Sequence, residues 1–202
     1  MLRIAVLVSG RGTNLQAIID AAAGGELAGL ATVALVISDR PKALALERAR
    51  AHGIATLVLR PRDYETRAAH DAAVAAALDA AGIDLICLAG YLRLFEPAFV
   101  QRYAGRMINV HPALLPAFPG LEVQAAALAY GVKVSGCTVF FVDEGIDTGP
   151  IIVQRAVPVL EDDTVETLAA RILTQEHPAV IEAIRLIAEG RVRIEGRRVR
   201  IL

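Results

Sequence analysis

Short apolar runs and helical segments alternate over the first half of the chain, and this alternation restricts the fold more than any other feature. Residues 2–8 form a run that is apolar except for Arg3 and ends at Ser9-Gly10, which is typical of a strand buried on both faces. The helical pattern that follows carries Leu15, Ile18 and Ile19 on one side. The same alternation predicts further strands at 31–37, 55–59, 84–89 and 107–110, and further helices at 41–53, 64–81 and 97–103. Strands joined by helices run parallel with right-handed crossovers, so the sequence predicts a parallel sheet covered on both faces.

The pattern changes after residue 120. A short helix at 123–130 is followed by apolar runs at 134–142 and 151–158, which only the acidic loop DEGIDTGP separates, so these two strands are expected to pair antiparallel. A long helix from 163–164 to about 189 and a hairpin around Glu195-Gly196 complete the chain. The sequence therefore predicts one α/β domain over 1–202, a three-layer Rossmann-like fold whose mainly parallel sheet ends in antiparallel C-terminal strands.

Charge and cysteine usage exclude several classes of protein. Lys and Arg total 21 against 22 Asp and Glu, a balance that does not suggest a nucleic-acid-binding surface. The apolar run at the N-terminus is too short for a signal peptide or a membrane span. Cys87 and Cys137 lie in apolar runs and are interpreted as buried free thiols, and no Cys/His spacing suggests a metal site. We therefore expect a cytoplasmic protein without a metal, nucleic-acid or membrane partner.

The segment SGRGTN lies between the first strand and the first helix. Glycines there let a ligand approach the backbone, and a helix N-terminus favours an anion. The dinucleotide fingerprint would need a third glycine at Leu15, and the Walker pattern would need Gly-Lys-Ser/Thr, so both are absent. The loop therefore predicts a single phosphate on Gly12, Thr13 and Asn14, or alternatively a tight turn with Thr13 or Asn14 as the helix N-cap.

Among the four histidines, His111 is the candidate for chemistry. It follows a buried strand at the carboxyl end, where parallel sheets open their ligand clefts, and Pro112 keeps it extended. Side chains alternate along a strand, so Asn109 and His111 are expected to face the same side. An amide and an imidazole directed together into a cleft suit an oxyanion and a proton transfer. The alternative is a histidine satisfied by carbonyl groups of the loop.

The other three histidines receive structural interpretations. His52 lies beside the helix-ending Gly53, where a cation suits the helix dipole. His70 lies on a helix among polar neighbours and is expected to be exposed. His177 precedes Pro178 within the last helix, where it would cap a kink or face a site.

The acidic loop 143–150 supplies a candidate carboxylate. Its ligand pattern is not that of a calcium loop. If Asp147 reached His111, it would favour the charged imidazolium. Sequence spacing alone does not establish this contact.

Several segments together resemble the phosphoribosylglycinamide formyltransferases, the folate-dependent formyltransferases of purine synthesis. They are VLVSGRGTNLQAII, LERARAHGIAT, DLICLAGYLRLF, AGRMINVHPALLPAFPG, GCTVFFVDEGIDTGPIIVQ and TQEH. The resemblance runs from residue 1 to about 190. Its most specific part is the combination of N-x-H-P-x-L-L-P with D-x-G-P, and the glycine loop and TQEH point to the glycinamide branch.

The resemblance implies direct transfer of a formyl group from 10-formyltetrahydrofolate, the co-substrate, to the amine of glycinamide ribonucleotide (GAR) through a tetrahedral oxyanion. It implies catalytic roles for Asn109, His111 and Asp147. The residues that it implies for GAR binding are Gly12, Thr13, Asn14, Leu173, Thr174, Gln175 and Glu176. Those that it implies for folate binding are Arg67, Leu92, Arg93, Leu94, Phe95, Asn109, Asp143, Glu144, Gly145, Ile146 and Asp147. It also implies a phosphate- and GAR-binding half over 1–105, a catalytic and folate-binding half over 106–202, and a monomer or homodimer.

Two departures from the family pattern stand out. After the segment that corresponds to Phe118-Pro119-Gly120, the family usually has a histidine-bearing stretch, whereas this chain has Glu122 and Gln124 there. Many members also have histidine where this chain has Phe140. The alternatives to GAR formylation are a non-catalytic phosphate- or nucleotide-binding module and a formyltetrahydrofolate hydrolase-like activity. The prolines and glycines of 112–132 also predict a hinged cover over the site.

Overall fold

One sheet of nine strands organises the chain, and the computed structural model describes all 202 residues. The strand order is β3-β2-β1-β4-β5-β6-β7-β9-β8. The first five strands pair parallel, and β6 pairs antiparallel with both β5 and β7. The strands are β1 (Leu2–Val8), β2 (Ala31–Ser38), β3 (Ala55–Val58), β4 (Leu85–Leu88), β5 (Met107–His111), β6 (Val134–Phe141), β7 (Ile151–Pro158), β8 (Val192–Glu195) and β9 (Arg198–Ile201).

Helices cover both faces of this sheet. They are α1 (Thr13–Gly24), α2 (Leu44–Ala51), α3 (Arg67–Ala80), α4 (Pro97–Arg102), α5 (Val123–Tyr130) and α6 (Val165–Ala188). Buried residues of α1, α2 and α6 form one apolar core against the sheet, and those of α3 and α4 form a second core on the opposite face. The predicted three-layer α/β fold with antiparallel C-terminal strands is therefore confirmed. No helix is long and apolar enough to cross a membrane.

Two helix starts differ from the prediction. The helix predicted from residue 41 begins at Leu44, and the amide of Ala45 in its first turn donates to the carbonyl of Gly10 at 3.2 Å. The helix predicted from residue 64 begins at Arg67, because Thr66 is its N-cap and accepts the amide of Ala69 at 3.1 Å. In both cases a hydrogen bond in the first turn determines where the helix begins, and the spacing of apolar residues does not reveal that bond.

The sheet brings the candidate residues to one edge. The carboxyl ends of β1, β4 and β5 are neighbours in a parallel arrangement, so the segments that follow them lie side by side. These segments are the glycine loop, residues 89–96 and the chain after His111. Parallel sheets form ligand clefts at this edge.

Candidate active site

A large cavity of about 1140 Å³ opens at the carboxyl edge of the sheet. It contains the three predicted catalytic residues and every predicted folate-binding residue in its lining. From the predicted GAR set, Gly12, Thr13 and Asn14 line it together with Leu173 and Glu176. Thr174 and Gln175 lie outside the lining, and the hydroxyl of Thr174 donates to the carbonyl of Arg171 at 2.7 Å.

Asn109, His111 and Asp147 come together within this cavity. Asn109 and His111 lie two residues apart on β5, which places their side chains on one face of the sheet. The Nδ1 atom of His111 lies 3.3 Å from Oδ2 of Asp147, with both side chains largely buried. An imidazole and a carboxylate 36 positions apart in the sequence (111 and 147) are therefore in contact.

The acidic loop holds Asp147 in a specific backbone conformation. Asp147 has φ +53°, in the left-handed region that Asp and Asn tolerate better than most residues. The loop is braced by Asp143, whose Oδ1 accepts the Thr148 hydroxyl at 2.6 Å and the Gly145 amide at 3.1 Å. The Asp147 carboxylate also accepts the amide of Gly120 at 2.7 Å. Backbone and side chain together thus fix the carboxylate beside His111.

The segment after β5 folds back over His111. The Nε2 atom of His111 lies 2.8 Å from the carbonyl oxygen of Phe118. The sequence left open that carbonyl groups of the loop would satisfy His111. This is the case for its Nε2 atom, whereas its Nδ1 atom faces Asp147. Both ring nitrogens therefore lie near oxygen atoms that can accept a hydrogen bond.

The glycine loop leads directly into α1. Gly12 is the N-cap with φ +71°, and no side chain caps the helix, so the alternative in which Thr13 or Asn14 is the N-cap is wrong. A Cβ atom on Gly12 would lie 2.5 Å from Cβ of Ala45 on α2. A helix N-terminus without a side-chain cap is suited to an anion, and the backbone path to it requires glycine.

Replacing Gly12 with alanine is expected to destabilise the protein by about 2–4 kcal/mol, because alanine pays for the left-handed conformation and overlaps Ala45. Urea denaturation measures the effect. The matched control is Gly24→Ala at the other end of α1, where a Cβ meets nothing within 4 Å. Equal stability of the two variants would contradict the packing argument.

Asn14 and Glu176 form a second polar pair in the cavity. The Nδ2 atom of Asn14 donates to Oε2 of Glu176 at 2.7 Å. Burial raises the pKa of the Glu176 carboxyl, and the hydrogen bond from Asn14 partly opposes this shift. The Oδ1 atom of Asn14 is buried and has no partner in the protein. A buried carboxylate beside an unpaired acceptor is suited to a ligand that donates hydrogen bonds, such as an amine.

The predicted folate-binding segment around Leu92–Phe95 lines another part of the cavity. Leu92 and Leu94 are more than half exposed there, although both are large apolar side chains. Phe95 stacks on Phe99 of α4, with ring centroids 4.1 Å apart. Arg67, at the start of α3, pairs with Glu96. Exposed leucines with an arginine nearby suit a flat apolar ligand that carries a negative charge.

The remaining histidines and the cysteines lie outside the cavity lining. His52 is exposed at the end of α2, with Nδ1 2.8 Å from the Arg48 carbonyl oxygen. The prediction that His70 is exposed is wrong, since only 1% of it is accessible. Burial lowers the pKa of His177, whose Nε2 has no protein partner. Cys87 and Cys137 are buried free thiols, as predicted.

The burial of His70 is difficult to predict because alanines surround it on α3 and obscure the apolar periodicity of the helix. Val74 and Leu78 follow it at intervals of four residues, and both are buried. That spacing is the signal that would have placed His70 on the inner face of the helix. No group of three or more His, Cys, Asp or Glu residues is placed to hold a metal ion.

Comparisons with known proteins give relatives over nearly the whole chain. Phosphoribosylglycinamide formyltransferase from Escherichia coli (strain K12) is 42% identical over 193 residues, covering 96% of this chain and 90% of the relative. The crystal structure of glycinamide ribonucleotide transformylase 1 from Symbiobacterium toebii has a TM-score of 0.97 and 58% identity, covering 100% of this chain and 94% of that one.

The trifunctional purine biosynthetic protein adenosine-3 of Drosophila melanogaster is 50% identical over 188 residues, or 93% of this chain. The chain spans only 14% of the length of that relative. Residues 2–184, which include the glycine loop, His111, the acidic loop and Glu176, match the formyl transferase family. With the site geometry and this match in agreement, the chain belongs to the formyl transferase family.

Proposed function

We propose that the protein transfers the formyl group of 10-formyltetrahydrofolate to the primary amine of GAR, giving formyl-GAR and tetrahydrofolate in purine synthesis. The observation that carries this proposal is the contact between His111 and Asp147 beside Asn109, within one cavity that also contains the glycine loop and Glu176. Relatives named for this activity over nearly the full chain support the choice of acceptor.

The two ends of the cavity suit the two substrates. We assign the phosphate of GAR to the N-terminus of α1, where Gly12, Thr13 and Asn14 line the cavity. Glu176 and the unpaired Oδ1 of Asn14 would then accept hydrogen bonds from the amine, and Leu173 would pack beside it. Thr174 and Gln175 receive no direct contact in this assignment because they do not line the cavity.

The folate is assigned to the other wall. The exposed Leu92 and Leu94, with Phe95 beside them, suit the flat pterin, and the acidic loop 143–147 closes the opposite side. Arg67 and Arg93 provide positive charge for the carboxylates of the folate tail. We assign the formyl group to the part of the cavity lined by Asn109 and His111.

The chemistry then follows from the groups at the centre. The GAR amine attacks the formyl carbon, and the carbonyl oxygen becomes an oxyanion that accepts a hydrogen bond from Asn109. His111, with Asp147 at Nδ1, donates a second, charged hydrogen bond or a proton. As the tetrahedral intermediate collapses, the bond to the folate nitrogen breaks. The proton lost by the amine reaches that nitrogen by way of Asp147 and a water.

Release of the Phe118 carbonyl is a requirement of this mechanism, because Nε2 of His111 has to turn to the oxyanion. We therefore expect residues 112–132 to move when substrates bind. Hydrogen exchange of this segment should change at least severalfold on addition of formyl folate, more than that of β1 or β2, because the segment exchanges its contacts to His111 and Asp147 for new ones. Exchange rates that are identical with and without folate would show that the segment stays in place.

Glu176→Gln is expected to raise the KM for GAR by roughly ten- to a hundredfold, because a charged hydrogen bond to the amine is lost. Gln retains an oxygen that can accept the Asn14 amide. The same change should stabilise the protein at neutral pH. Since burial raises the folded pKa of Glu176, its contribution to stability is present below the unfolded pKa and is lost as pH rises through the folded pKa.

The Glu176→Gln variant does not undergo this loss of stability with rising pH, because its side chain does not ionise. Its melting temperature should therefore exceed that of the wild type at about pH 7.5 and approach it near pH 4, where the carboxyl is largely protonated in both states. Thermal denaturation at the two pH values and steady-state kinetics measure both effects. A less stable variant at neutral pH, or an unchanged KM for GAR, would contradict the assignment of the buried carboxylate.

The assay that tests the proposed function follows the folate absorbance with GAR present and with GAR omitted, and detects formyl-GAR by mass spectrometry. We expect folate consumption to require GAR and to match product formation one for one. Equal consumption without GAR would support a hydrolase-like activity. Binding of GAR or folate without any turnover would support a binding module.

A further inference from the structure

The wall assigned to the folate is built from a segment without regular secondary structure. Residues 91–96 lie between β4 and α4 and form neither helix nor strand, yet they carry Leu92, Arg93 and Leu94 into the cavity. A segment of this kind keeps its position only through contacts with its surroundings. Those contacts determine where the ligand wall lies.

A hydrogen bond and an aromatic stack hold residues 91–95 of the segment. The Ser9 hydroxyl oxygen accepts the amide of Leu92 at 3.0 Å. Tyr91 and Phe95 stack at 5.5 Å, and Phe95 continues the stack onto Phe99 of α4. These contacts fix the segment against the end of β1 and against α4. Tyr91 and Phe95 also join the apolar core that includes residues of α3, but apolar packing is not directional and does not by itself fix the segment relative to Arg67.

Asp71 of α3 supplies a directional contact between the helix and the segment. Its Oδ2 accepts the backbone amide of Glu96 at 2.7 Å, and only 4% of the residue is accessible. Asp71 lies four residues after Arg67, so the two occupy one side of the same helix. One carboxylate therefore connects the helix that carries Arg67 to the segment that carries the leucines.

His70 holds this carboxylate in turn. Its Nδ1 lies 3.4 Å from Oδ1 of Asp71, and its Nε2 lies 3.1 Å from the carbonyl oxygen of Leu59. The edge of Tyr64 packs on the imidazole at 5.3 Å. The pair of Arg67 with Glu96 is a second link between helix and segment, but about half of the Arg67 side chain is exposed, and such pairs hold geometry weakly. The buried link through Asp71 is therefore the one that fixes the distance.

We propose that Asp71, supported by His70, is a positioning residue that sets the spacing between Arg67 and the Leu92–Phe95 wall. Neither His70 nor Asp71 lines the cavity, so they act through these groups and not on the ligand. A folate anchored by its pterin at one point and by its charged tail at the other depends on that spacing. This inference rests on the proposed function. It adds a structural reason for the enzyme to prefer a formyl folate that carries the charged glutamate tail.

The test compares a formyl folate that carries the glutamate tail with a tailless formyl pteroate, in wild type and in Asp71→Ala. In the variant we expect the KM for the tailed folate to rise roughly five- to tenfold, with the KM for GAR and kcat changed less than about twofold. The preference for the tailed over the tailless folate should shrink by about the same factor. Asp71→Asn keeps an acceptor oxygen for the Glu96 amide and should recover part of both effects.

The matched control is Asp79→Asn, a carboxylate on the same helix that pairs with the exposed Arg102 and should leave all three kinetic constants unchanged. An equal rise in both KM values, or an unchanged tail preference in an active variant, would overturn the proposal. If Asp71→Ala loses the wild-type circular dichroism spectrum, Asp71→Asn decides alone, with an expected rise of roughly threefold in the folate KM only. Failure of Asp71→Asn to fold would assign the pair to folding and would also overturn the proposal. An inactive wild type would instead refute the proposed function.

Discussion

Replacing His111 with alanine is expected to lower kcat by about 10³-fold, because both proton transfer and one charged donor to the oxyanion are lost. The KM values for GAR and formyl folate should change less than about threefold, since the assigned binding groups remain. Steady-state kinetics in which each substrate is varied while the other is saturating give kcat and both KM values. The fold should persist because His111 is the last residue of β5 and its backbone pairing with β6 does not depend on the ring.

The control for this variant is His52→Ala. His52 is an exposed histidine at the end of α2, outside the cavity lining, and its loss should leave kcat unchanged. A melting temperature is needed for both variants, because removal of the buried imidazole leaves the Phe118 carbonyl without its partner. Full activity of His111→Ala in a folded protein would refute the catalytic role.

Asp147→Asn is expected to lower kcat by about 10²- to 10³-fold with little change in stability. Asparagine tolerates the left-handed backbone at this position, where φ is +53°, and its oxygen can still accept the Gly120 amide. The substitution therefore removes the negative charge beside His111 while it preserves the loop. In the proposed mechanism, the loss of that charge removes the carboxylate that faces His111 and the acceptor for the proton released by the amine.

Asp162→Asn provides the comparison for Asp147→Asn, because Asp162 is an exposed carboxylate before α6 and does not line the cavity. Rapid-quench measurement of a single turnover separates chemistry from product release in both variants. A single-turnover rate for Asp147→Asn within about twofold of the wild type would show that the carboxylate does not act in the chemical step.

The fold could be predicted from the sequence because its main signals are local. The apolar run Leu2–Val8 and its successors lie on parallel strands as the alternation predicts. Alternation along β5 also places Asn109 and His111 on one face. The residue types and the spacing of the apolar residues are enough to predict these strands and the facing of their side chains, without knowledge of contacts between distant residues.

The contacts that complete the site are not local, and the residue pattern alone does not predict them. Asp147 reaches His111 only because its loop adopts a left-handed turn and receives the amide of Gly120. The partner of His111 Nε2 is the backbone carbonyl of Phe118, and a carbonyl is present at every residue, so it leaves no trace in the sequence. The contact of Asp71 cannot be predicted from the sequence for the same reason, because its partner is the backbone amide of Glu96.

In the proposed mechanism, Asn109, His111 and Asp147 act together on one carbonyl group as it passes between two small molecules. The most direct measurement is a crystal structure with GAR and a non-reactive analogue of 10-formyltetrahydrofolate that retains the carbonyl. We predict that the carbonyl oxygen lies about 2.7–3.1 Å from Nδ2 of Asn109, with the ring of His111 turned from Phe118 toward it. A carbonyl bound away from Asn109, with the contact between His111 and Phe118 intact, would contradict the proposed mechanism.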